Sequence, residues 1–277
     1  MNPHTGKPYS LASLFGSSWS NRHLIYQMIK REIIGRYRGS FMGILWSFIN
    51  PIFMLAVYTL VFSVVFKARW AGAAENESRT QFAVILFVGL IVHGLFAEVL
   101  NRSPSLIISN VNYVKKVIFP LETLPLVTMG GVLFHSFISI VVLISAFFIF
   151  NGYVHLTLLF LPLVLAPLIF LTLGLSWFLA SLGVYVRDVG QTITILMTVM
   201  MFLSPVFYPI TSLPETLRPL IMMNPLTFII EQARAVLIWG KMPNFIGLGV
   251  YSAISLLVMW LGYAWFQKTR RGFADVL

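Results

Sequence analysis

The 277-residue chain is 58% hydrophobic and only 10% charged, with a mean hydropathy of +0.87 and a net charge of +10. Because roughly a quarter of the residues in a soluble globular domain are charged, this composition excludes an ordinary soluble domain and indicates a polytopic membrane protein. The basic residues lie beside apolar segments and not in one soluble basic domain, which favours anionic lipid over nucleic acid as their partner.

Cysteine is absent from the sequence, which excludes disulfides, thiolate metal sites and thiol nucleophiles. The five histidines form no metal-ligand spacing, so no metal site is predicted. A cleavable signal peptide is not expected, because the first apolar segment begins only near Met42 and follows polar residues without a small-residue cleavage pattern. We therefore expect the first membrane span to be retained.

The first 40 residues are predicted to be a cytoplasmic lead-in followed by an amphipathic interface helix. Residues 1–20 are rich in Ser, Gly and Pro and lack a clear periodicity, so we expect them to be loosely held. Asn21 can cap the helix that follows. The apolar arc of this helix comprises Ile25, Tyr26, Ile29, Ile33 and Tyr37. Met28 is expected on the opposite, nominally polar side, so the amphipathy is imperfect.

The first span is predicted at residues 42–66. These 25 residues carry no formal charge, and at about 1.5 Å per residue a helix of this length crosses a hydrocarbon core of roughly 30 Å. The segment before it contains four basic residues: Lys30, Arg31, Arg36 and Arg38. By the positive-inside bias these residues stay in the cytoplasm. Pro51 removes one backbone hydrogen bond near the middle of the span, so a bend is expected there.

The hydrophobic pattern predicts an all-α fold with six transmembrane helices in one membrane domain, residues 41–277. The predicted spans are residues 42–66, 82–100, 124–150, 156–184, 193–207 and 245–266. With this assignment, 13 of the 19 Lys and Arg residues lie on the cytoplasmic side. The bias favours a multi-pass topology with both the N and the C terminus in the cytoplasm.

Two segments between the spans are too irregular to cross a bilayer and too apolar to be free loops. Residues 101–122 are interrupted by proline, asparagine and lysine, and are predicted to form a short helix docked at the cytoplasmic face. Residues 204–244 contain six prolines. Because irregular backbone at membrane depth must be satisfied by protein or by a water-filled cavity, they are predicted to form re-entrant or interfacial short helices beside a pathway.

No enzyme site is predicted. The sequence lacks a GxxxxGK[ST] phosphate loop, an HExxH or GxSxG motif and paired carboxylates on one helical face, so no catalytic residue can be named. A pump without its own energy source needs a partner. The two cytoplasmic segments at residues 105–116 and 185–190 offer a surface on which an ATPase could act.

Four segments carry a resemblance to a known family. They are RYRGSFMGILWSFINPIFMLAVYTLVFSVVFK at residues 36–67, NYVKKVIFPLETLP at 112–125, the RD pair at 187–188, and SPVFYPITSLPE together with NPLTFIIEQAR in the proline-rich segment. In this order they closely resemble the membrane subunit of polysaccharide ABC exporters, which belong to the ABC-2 permease class. Tyr113 stands where leucine is frequent in the family.

The resemblance implies a homodimer of six-span subunits joined to two copies of a cytoplasmic ABC ATPase subunit. ATP and Mg would be bound by that partner, and this chain would hold no cofactor. The implied substrate is a lipid-linked polysaccharide such as O-antigen, exported across the bacterial inner membrane during lipopolysaccharide biosynthesis. The family's interface helix, coupling helix and gating helices have counterparts at residues 22–40, 103–116 and 205–240.

Arg36 and Arg38 are candidates for binding the phosphates of the lipid carrier at the entrance, because guanidinium groups hold phosphate oxygens in a fixed fork. Anchoring to anionic lipid is the alternative. The candidates for coupling to the ATPase are Ser109, Asn112, Lys115, Lys116, Arg187 and Asp188. For the charged members of this set, topological charge or a local Arg187–Asp188 ion pair is the alternative.

Aromatic side chains are candidates for the channel or its gate, because the C–H faces of sugars pack on aromatic rings. The candidates are Tyr58, Phe62, Trp177, Phe202, Phe207, Tyr208 and Pro209, the last three at the start of the broken segment. The alternative is that such residues face lipid or fill helix contacts. Glu231 is expected to pair locally with Arg234, and Glu98 and Glu122 with nearby basic residues.

Three functional classes remain open from the sequence. The first is the polysaccharide exporter permease; the second is an ABC-2 permease for teichoic acid, capsule, or a smaller lipid or drug. The third is a membrane enzyme or secondary transporter, which requires catalytic or ion-coupling groups within the spans. The mid-span polar residues are few: Asn50, His93 and His135 are the main ones.

Overall fold

A computed structural model describes residues 11–65, 79–115 and 119–277, and within these ranges the chain is helical and forms no β-strand. The α-helices of these ranges are α1 Leu11–Ser20, α2 Arg22–Arg36, α3 Trp46–Tyr58, α4 Arg79–Arg102, α5 Val111–Lys115, α6 Leu124–Asn151, α7 Leu161–Tyr185, α8 Val189–Leu203, α9 Arg218–Met222, α10 Pro225–Leu237, α11 Phe245–Thr269 and α12 Phe273–Val276. The prediction of an all-α fold is confirmed.

Five helical segments of the described residues are long and apolar enough to cross a membrane. They are Gly43–Phe62, Phe82–Ser105, Leu121–Asn151, Leu156–Tyr185 and Phe245–Val276. α8 is apolar but has only 15 residues, about 22 Å at the usual rise of about 1.5 Å per residue. Since that is shorter than a hydrocarbon core of roughly 30 Å, the sixth span stays a prediction.

Residues near both ends of the described chain meet at one buried carboxylate. Ser17 Oγ donates to Glu122 Oε1 at 2.9 Å, and Arg270 Nη1 donates to Glu122 Oε2 at 2.9 Å. The side chains of Glu122 and Arg270 are only 1% and 3% exposed. The expectation that Glu122 pairs with a basic residue is therefore confirmed, although the partner is far away in sequence. We call this part of the bundle the Glu122 end.

The first helix corrects the expectation of a loosely held lead-in, because residues 11–20 form α1; residues 1–10 lie outside the described ranges. Leu14 is buried, and the bond from Ser17 fastens α1 to the Glu122 end. The proposed cap is also wrong, because the Asn21 side chain donates to the Ser17 carbonyl and makes no capping bond to α2. Long-range contacts hold α1 where local periodicity gave no signal.

α2 packs along α6, and glycine makes this close contact possible. A Cβ added at Gly130 would overlap the side chain of Ile29, so a larger residue there would force Ile29 to move. The predicted apolar arc is partly wrong: Tyr26 is exposed, whereas Met28 is buried. The packing against α6 therefore decides which residues of α2 are covered, as the imperfect amphipathy allowed.

The first span departs from α-helical geometry after Pro51 and not at it. A short 3₁₀ turn at Gly43–Leu45 leads into α3, which runs through Pro51 without interruption. The chain then continues as a π-helix over Thr59–Val65. π-helical turns are rare and are frequently found at functional sites. This one begins about two turns after the proline.

α7 and α11 form the most extensive helix contact of the described residues. Gly174 and Gly262 face each other there, and a Cβ on Gly262 would overlap the Gly174 backbone. Small residues that allow backbones to approach are typical of helix packing in membranes. α7 and α11 therefore pack with their backbones in direct contact.

α8 runs antiparallel to α4. Its first turn lies beside the 3₁₀ turn Ser103–Ser105, and His93 Nε2 lies 3.1 Å from the Met197 carbonyl midway along. The residues after α8 reach the beginning of α4, because Arg234 joins the carbonyls of residues 205 and 206 to that of residue 85. We call this part of the bundle the Arg234 end.

The proline-rich segment forms short helices, as predicted: α9, α10 and a 3₁₀ turn at Ile210–Ser212. Asn224 caps α10, since its Oδ1 accepts from the Leu226 amide, and Pro225 follows at the first helical position. α10 packs on α4 and α7 through an apolar buried face. Whether these helices re-enter the membrane stays a prediction.

Candidate substrate path

Four charged residues form a cluster near the Glu122 end: Glu32, Arg36, Glu98 and Arg102, here called the charged cluster. Arg36 Nη1 lies 2.7 Å from Glu98 Oε1, and Arg102 pairs with Glu32 at 2.5 Å and with Glu98 at 3.8 Å. The sequence expectation that Glu98 pairs with basic residues is confirmed. The Arg36 side chain is still 48% exposed, so it remains accessible to an anion from solvent.

Arg36 and Arg38 differ in their surroundings. Arg38 is exposed, and within the described ranges it takes part in no ion pair. It lies in the turn after α2, where Gly39 adopts a φ of +85° that side-chain-bearing residues rarely adopt. The two candidate phosphate-binding arginines are close in sequence, but of these two only Arg36 has a carboxylate partner among the described residues.

A groove leads from the charged cluster along α3, α4 and α6. Its cavity has a volume of about 210 Å³ and is lined near the cluster by Arg36, Glu98 and His135. Further along, the polar lining residues are Ser47, Asn50, Tyr58, Ser136 and Ser139. Two of the few mid-span polar residues, Asn50 and His135, are therefore brought to the same groove. A second cavity of about 420 Å³ lies on the α2 side of the charged cluster.

Four phenylalanine rings pack together at the Arg234 end: Phe62, Phe82, Phe202 and Phe207, here called the aromatic cluster. The ring centroid of Phe62 lies 5.7 Å from that of Phe82 and 6.2 Å from that of Phe207. The rings of Phe202 and Phe207 are 5.7 Å apart. The cluster joins the π-helix of the first span, the beginning of α4 and both sides of the break after α8. Phe82 was not among the sequence candidates.

The remaining aromatic candidates lie in different environments. Tyr58 lines the groove one turn before Phe62, and Tyr208 donates to the Phe202 carbonyl at 2.9 Å beside the aromatic cluster. Pro209 is half-buried in the same loop. Trp177 is fully buried and donates from Nε1 to the Glu122 carbonyl. In this conformation Trp177 has no surface that could contact a polymer, because it packs between helices.

The candidate coupling residues lie on exposed segments at the Glu122 end. Ser109, Asn112 and Lys115 are exposed on the turn and short helix that follow α4. Arg187 and Asp188 are exposed between α7 and α8, and they form no ion pair with each other. Lys116 lies outside the described residues.

The two candidate coupling segments are in contact where they leave the bundle, at the turn after α4 and the end of α7. Ser103 Oγ donates to Ser176 Oγ of α7 at 2.7 Å. A Cβ on Gly183 would overlap the Pro104 backbone, so the Ser103–Ser105 turn lies directly on the end of α7. A force applied to either segment would therefore reach the same part of the bundle.

Comparison with known proteins shows which family the chain resembles. A family model described as ABC-2 type transporter matches residues 23–238. The chain is 27% identical over 256 residues to an O-antigen export system permease protein RfbA of Myxococcus xanthus, covering 92% of this chain and 95% of that protein. It is 26% identical to an RfbA permease of Klebsiella pneumoniae, with coverage of 97% and 98%.

A more distant relative is the polysialic acid transport protein KpsM of Escherichia coli, at 22% identity over 86% of this chain and 90% of that protein. The family match spans α2 through α10 and so includes the charged cluster, the groove and the aromatic cluster. Since this match covers well over half of its length, the chain belongs to the ABC-2 type transporter family.

Proposed function

We propose that this chain is the membrane subunit of an ATP-driven ABC exporter that moves a lipid-linked polysaccharide, with O-antigen as the first candidate, across the bacterial inner membrane. The similarity along almost the whole chain to permeases named for O-antigen export carries the proposal. The groove and the aromatic cluster follow each other along the first span, which supports the proposal. A sugar polymer that must keep moving is best served by polar groups and ring faces along its path and not by one tight binding site.

The path is completed by a second copy of the chain. α3 has one wall of the groove on its inner side, while its other side carries exposed apolar residues such as Ile52 and Phe53. α8 likewise exposes Ile195. We infer a homodimer in which these two helices of each copy enclose the path, so that the polymer does not contact lipid tails.

Six crossings with both termini in the cytoplasm fit the arrangement of the helices. Ser17 and Arg270 both bond to Glu122, so the described chain begins and ends at the same end of the bundle. Such a chain crosses the bundle an even number of times. With five long spans, α8 supplies the sixth crossing, and the broken segment after it makes up for its short length.

ATP hydrolysis takes place in a separate cytoplasmic subunit, present in two copies, which binds ATP and Mg; this chain is not an enzyme. The exposed segments with Ser109, Asn112 and Lys115 on one side and Arg187 and Asp188 on the other face that subunit. Because both segments are packed on the end of α7, movement of the ATPase is transmitted to α7 and α8 together.

Cysteines introduced at Ser109 and Asn112 are expected to crosslink to the partner ATPase. The sequence contains no cysteine, so this chain itself contributes no background reaction. Met242 is exposed in the loop that precedes α11, away from the Glu122 end, and a cysteine there is the matched control. Crosslinks from residue 242 and none from residues 109 and 112 in an assembled complex would place the coupling surface elsewhere.

Lipid-linked glycan is expected to accumulate inside cells after deletion of the gene, and the intact gene is expected to restore the polymer at the cell surface. The measurement is the lipid-linked pool in extracts together with surface labelling of the polysaccharide. Unchanged surface polysaccharide, with no internal pool, would contradict the proposed substrate class.

Capsule is the second candidate substrate. The relative KpsM, which is named for polysialic acid transport, supports a polysaccharide other than O-antigen as an alternative. Teichoic acid and a smaller lipid or drug molecule are the third and fourth candidates. The chemistry of the accumulated pool distinguishes these substrates. An ATPase gene beside glycosyltransferase genes would favour a polysaccharide over a smaller lipid or drug molecule.

A further inference from the structure

Arg234 is a buried cation at the Arg234 end, with only 1% of its side chain exposed. Its Nε donates to the Ile85 carbonyl at 3.2 Å. Its Nη1 donates to the Pro205 carbonyl at 2.7 Å, and its Nη2 to the Val206 carbonyl at 2.9 Å. One guanidinium therefore ties α10 to the beginning of α4 and to the loop after α8.

The loop needs these donors because its backbone has left the helix. Residues 205 and 206 follow the end of α8, and Pro205 and Pro209 prevent the helix from continuing. Buried carbonyls outside regular structure require donors, and the planar fork of arginine can supply several at once. Burial lowers the pKa of Arg234 to about 10, while Glu231, 2.9 Å away, acts in the opposite direction. The group is therefore protonated at neutral pH.

Two further contacts fix the same loop. Asn224, the cap of α10, donates from Nδ2 to Ser204 Oγ at 3.0 Å. Gly89 of α4 leaves the space that the loop and the guanidinium occupy: a Cβ there would lie 3.0 Å from Arg234 Nη2 and 3.2 Å from the Val206 Cα. We call Gly89, Asn224 and Arg234, with residues 204–206, the latch.

The latch leads directly into the aromatic cluster. Phe207 follows Val206 in the chain, and its ring stacks on those of Phe62 and Phe202. α10 itself is a fixed support, because Ile229, Ile230 and Ala233 of its packed face are fully buried. The position of the Phe207 ring is therefore set through the latch by α10.

We propose that Arg234 is a positioning residue that holds residues 204–206 on α10 and thereby keeps Phe207 against Phe62, closing the path when no polymer is being exported. The proposal rests on the proposed function, since it takes the aromatic cluster as the constriction of the export path. Arg234 acts only through the backbone that carries Phe207.

The test is the ion leak of the complete complex with its ATPase, reconstituted in liposomes without ATP, measured as potassium flux. Arg234→Lys retains the charge but cannot reach three carbonyls, and it is expected to raise the leak about tenfold or more, the effect of losing one hydrogen bond from a charged donor. Gly89→Ala pushes on the latch without removing a polar group and is expected to raise the leak in the same direction.

Glu231→Gln is the matched control, because Glu231 touches the same guanidinium but none of the carbonyls of the loop. Its leak is expected to stay within about twofold of that of the wild type. Melting temperatures of all variants separate a general loss of stability from leakage. If Arg234 has only a structural role, its replacement lowers the melting temperature but does not raise the leak of the folded complex. If Arg234→Lys does not assemble, Gly89→Ala decides the question.

The proposal is overturned if the Arg234→Lys and Gly89→Ala complexes assemble and their potassium leak equals that of the wild type. Phe207→Ala is included to test the aromatic cluster as the constriction separately from the role of Arg234. A leak from Phe207→Ala without one from the latch variants refutes the role of Arg234 alone. Failure of the wild-type complex to export lipid-linked polysaccharide refutes the proposed function, whatever the leak measurements show.

Discussion

Replacing Glu122 by glutamine is expected to lower the free energy of unfolding by about 3–5 kcal/mol, the usual effect of breaking a buried ion pair from one side. The substitution leaves the Arg270 guanidinium buried with a neutral amide in place of its carboxylate. It also weakens the bond that fastens α1 through Ser17. The measurement is the thermal or denaturant unfolding of the purified protein in detergent.

Lys268→Gln is the matched control, because Lys268 is a basic residue two positions before Arg270 but is exposed. It is expected to change stability by less than about 0.5 kcal/mol. The double variant Glu122→Gln with Arg270→Gln removes both charges and should recover much of the loss, since no uncompensated charge stays buried. If Glu122→Gln melts like Lys268→Gln, the junction contributes little to stability.

Export is expected to fall at least tenfold when Arg36 and Arg38 are both replaced by glutamine. A hydrogen bond from a charged donor is worth about 1.5–3 kcal/mol, and one such bond to a phosphate accounts for a factor of ten or more at limiting substrate. The measurement is the rate of surface appearance of the polysaccharide, with insertion and assembly with the ATPase verified in the same cells.

The ion pair between Arg36 and Glu98 makes a control necessary, because Arg36→Gln also removes the partner of Glu98. Glu98→Gln breaks the same pair while it leaves both arginines in place. If the arginines bind the lipid phosphate, Glu98→Gln exports at nearly the normal rate. Equal losses from Glu98→Gln and from the double arginine variant would assign the effect to the charged cluster as local structure.

The helical spans could be predicted from the sequence because apolar length alone determines them. The five long spans lie close to the predicted ranges, and the short helices after α8 follow from the prolines. The sixth span is harder to assign, since the 15 residues of α8 are too few for the length criterion. Local sequence patterns thus predict where helices form better than they predict which helices cross the membrane.

Contacts between distant residues account for what the sequence did not predict. α1 is held by the bond from Ser17 to Glu122, 105 residues away, and no local pattern encodes such a bond. Arg36 finds Glu98 over 62 residues. In both cases the residue type indicated that a partner was needed, but only the packing of the helices identifies it.

The aromatic candidates also could be selected by residue type, but their positions depend on the packing of the helices. Phe62, Phe202 and Phe207 were selected individually for their chemistry, and the structure brings them together. Trp177 was selected by the same argument and lies buried between helices, because an aromatic ring suits a packed core as well as a channel wall. The pairing of Glu231 with Arg234 was correctly predicted from their spacing. The bonds of Arg234 to backbone carbonyls could not be predicted, because they depend on the loop that begins after α8 at Pro205.

The Glu122 junction also sets an order of events during biosynthesis. Arg270 is made 148 residues after Glu122, which at about 5–20 residues per second is an interval of roughly 7–30 s. During that time the carboxylate must stay hydrated or protonated, because burying it as an ion without a cation is strongly unfavourable. The Glu122 end of the bundle is therefore completed only after α11 has been synthesised. A chain that ends before residue 270 lacks the finished site on which its first helix docks.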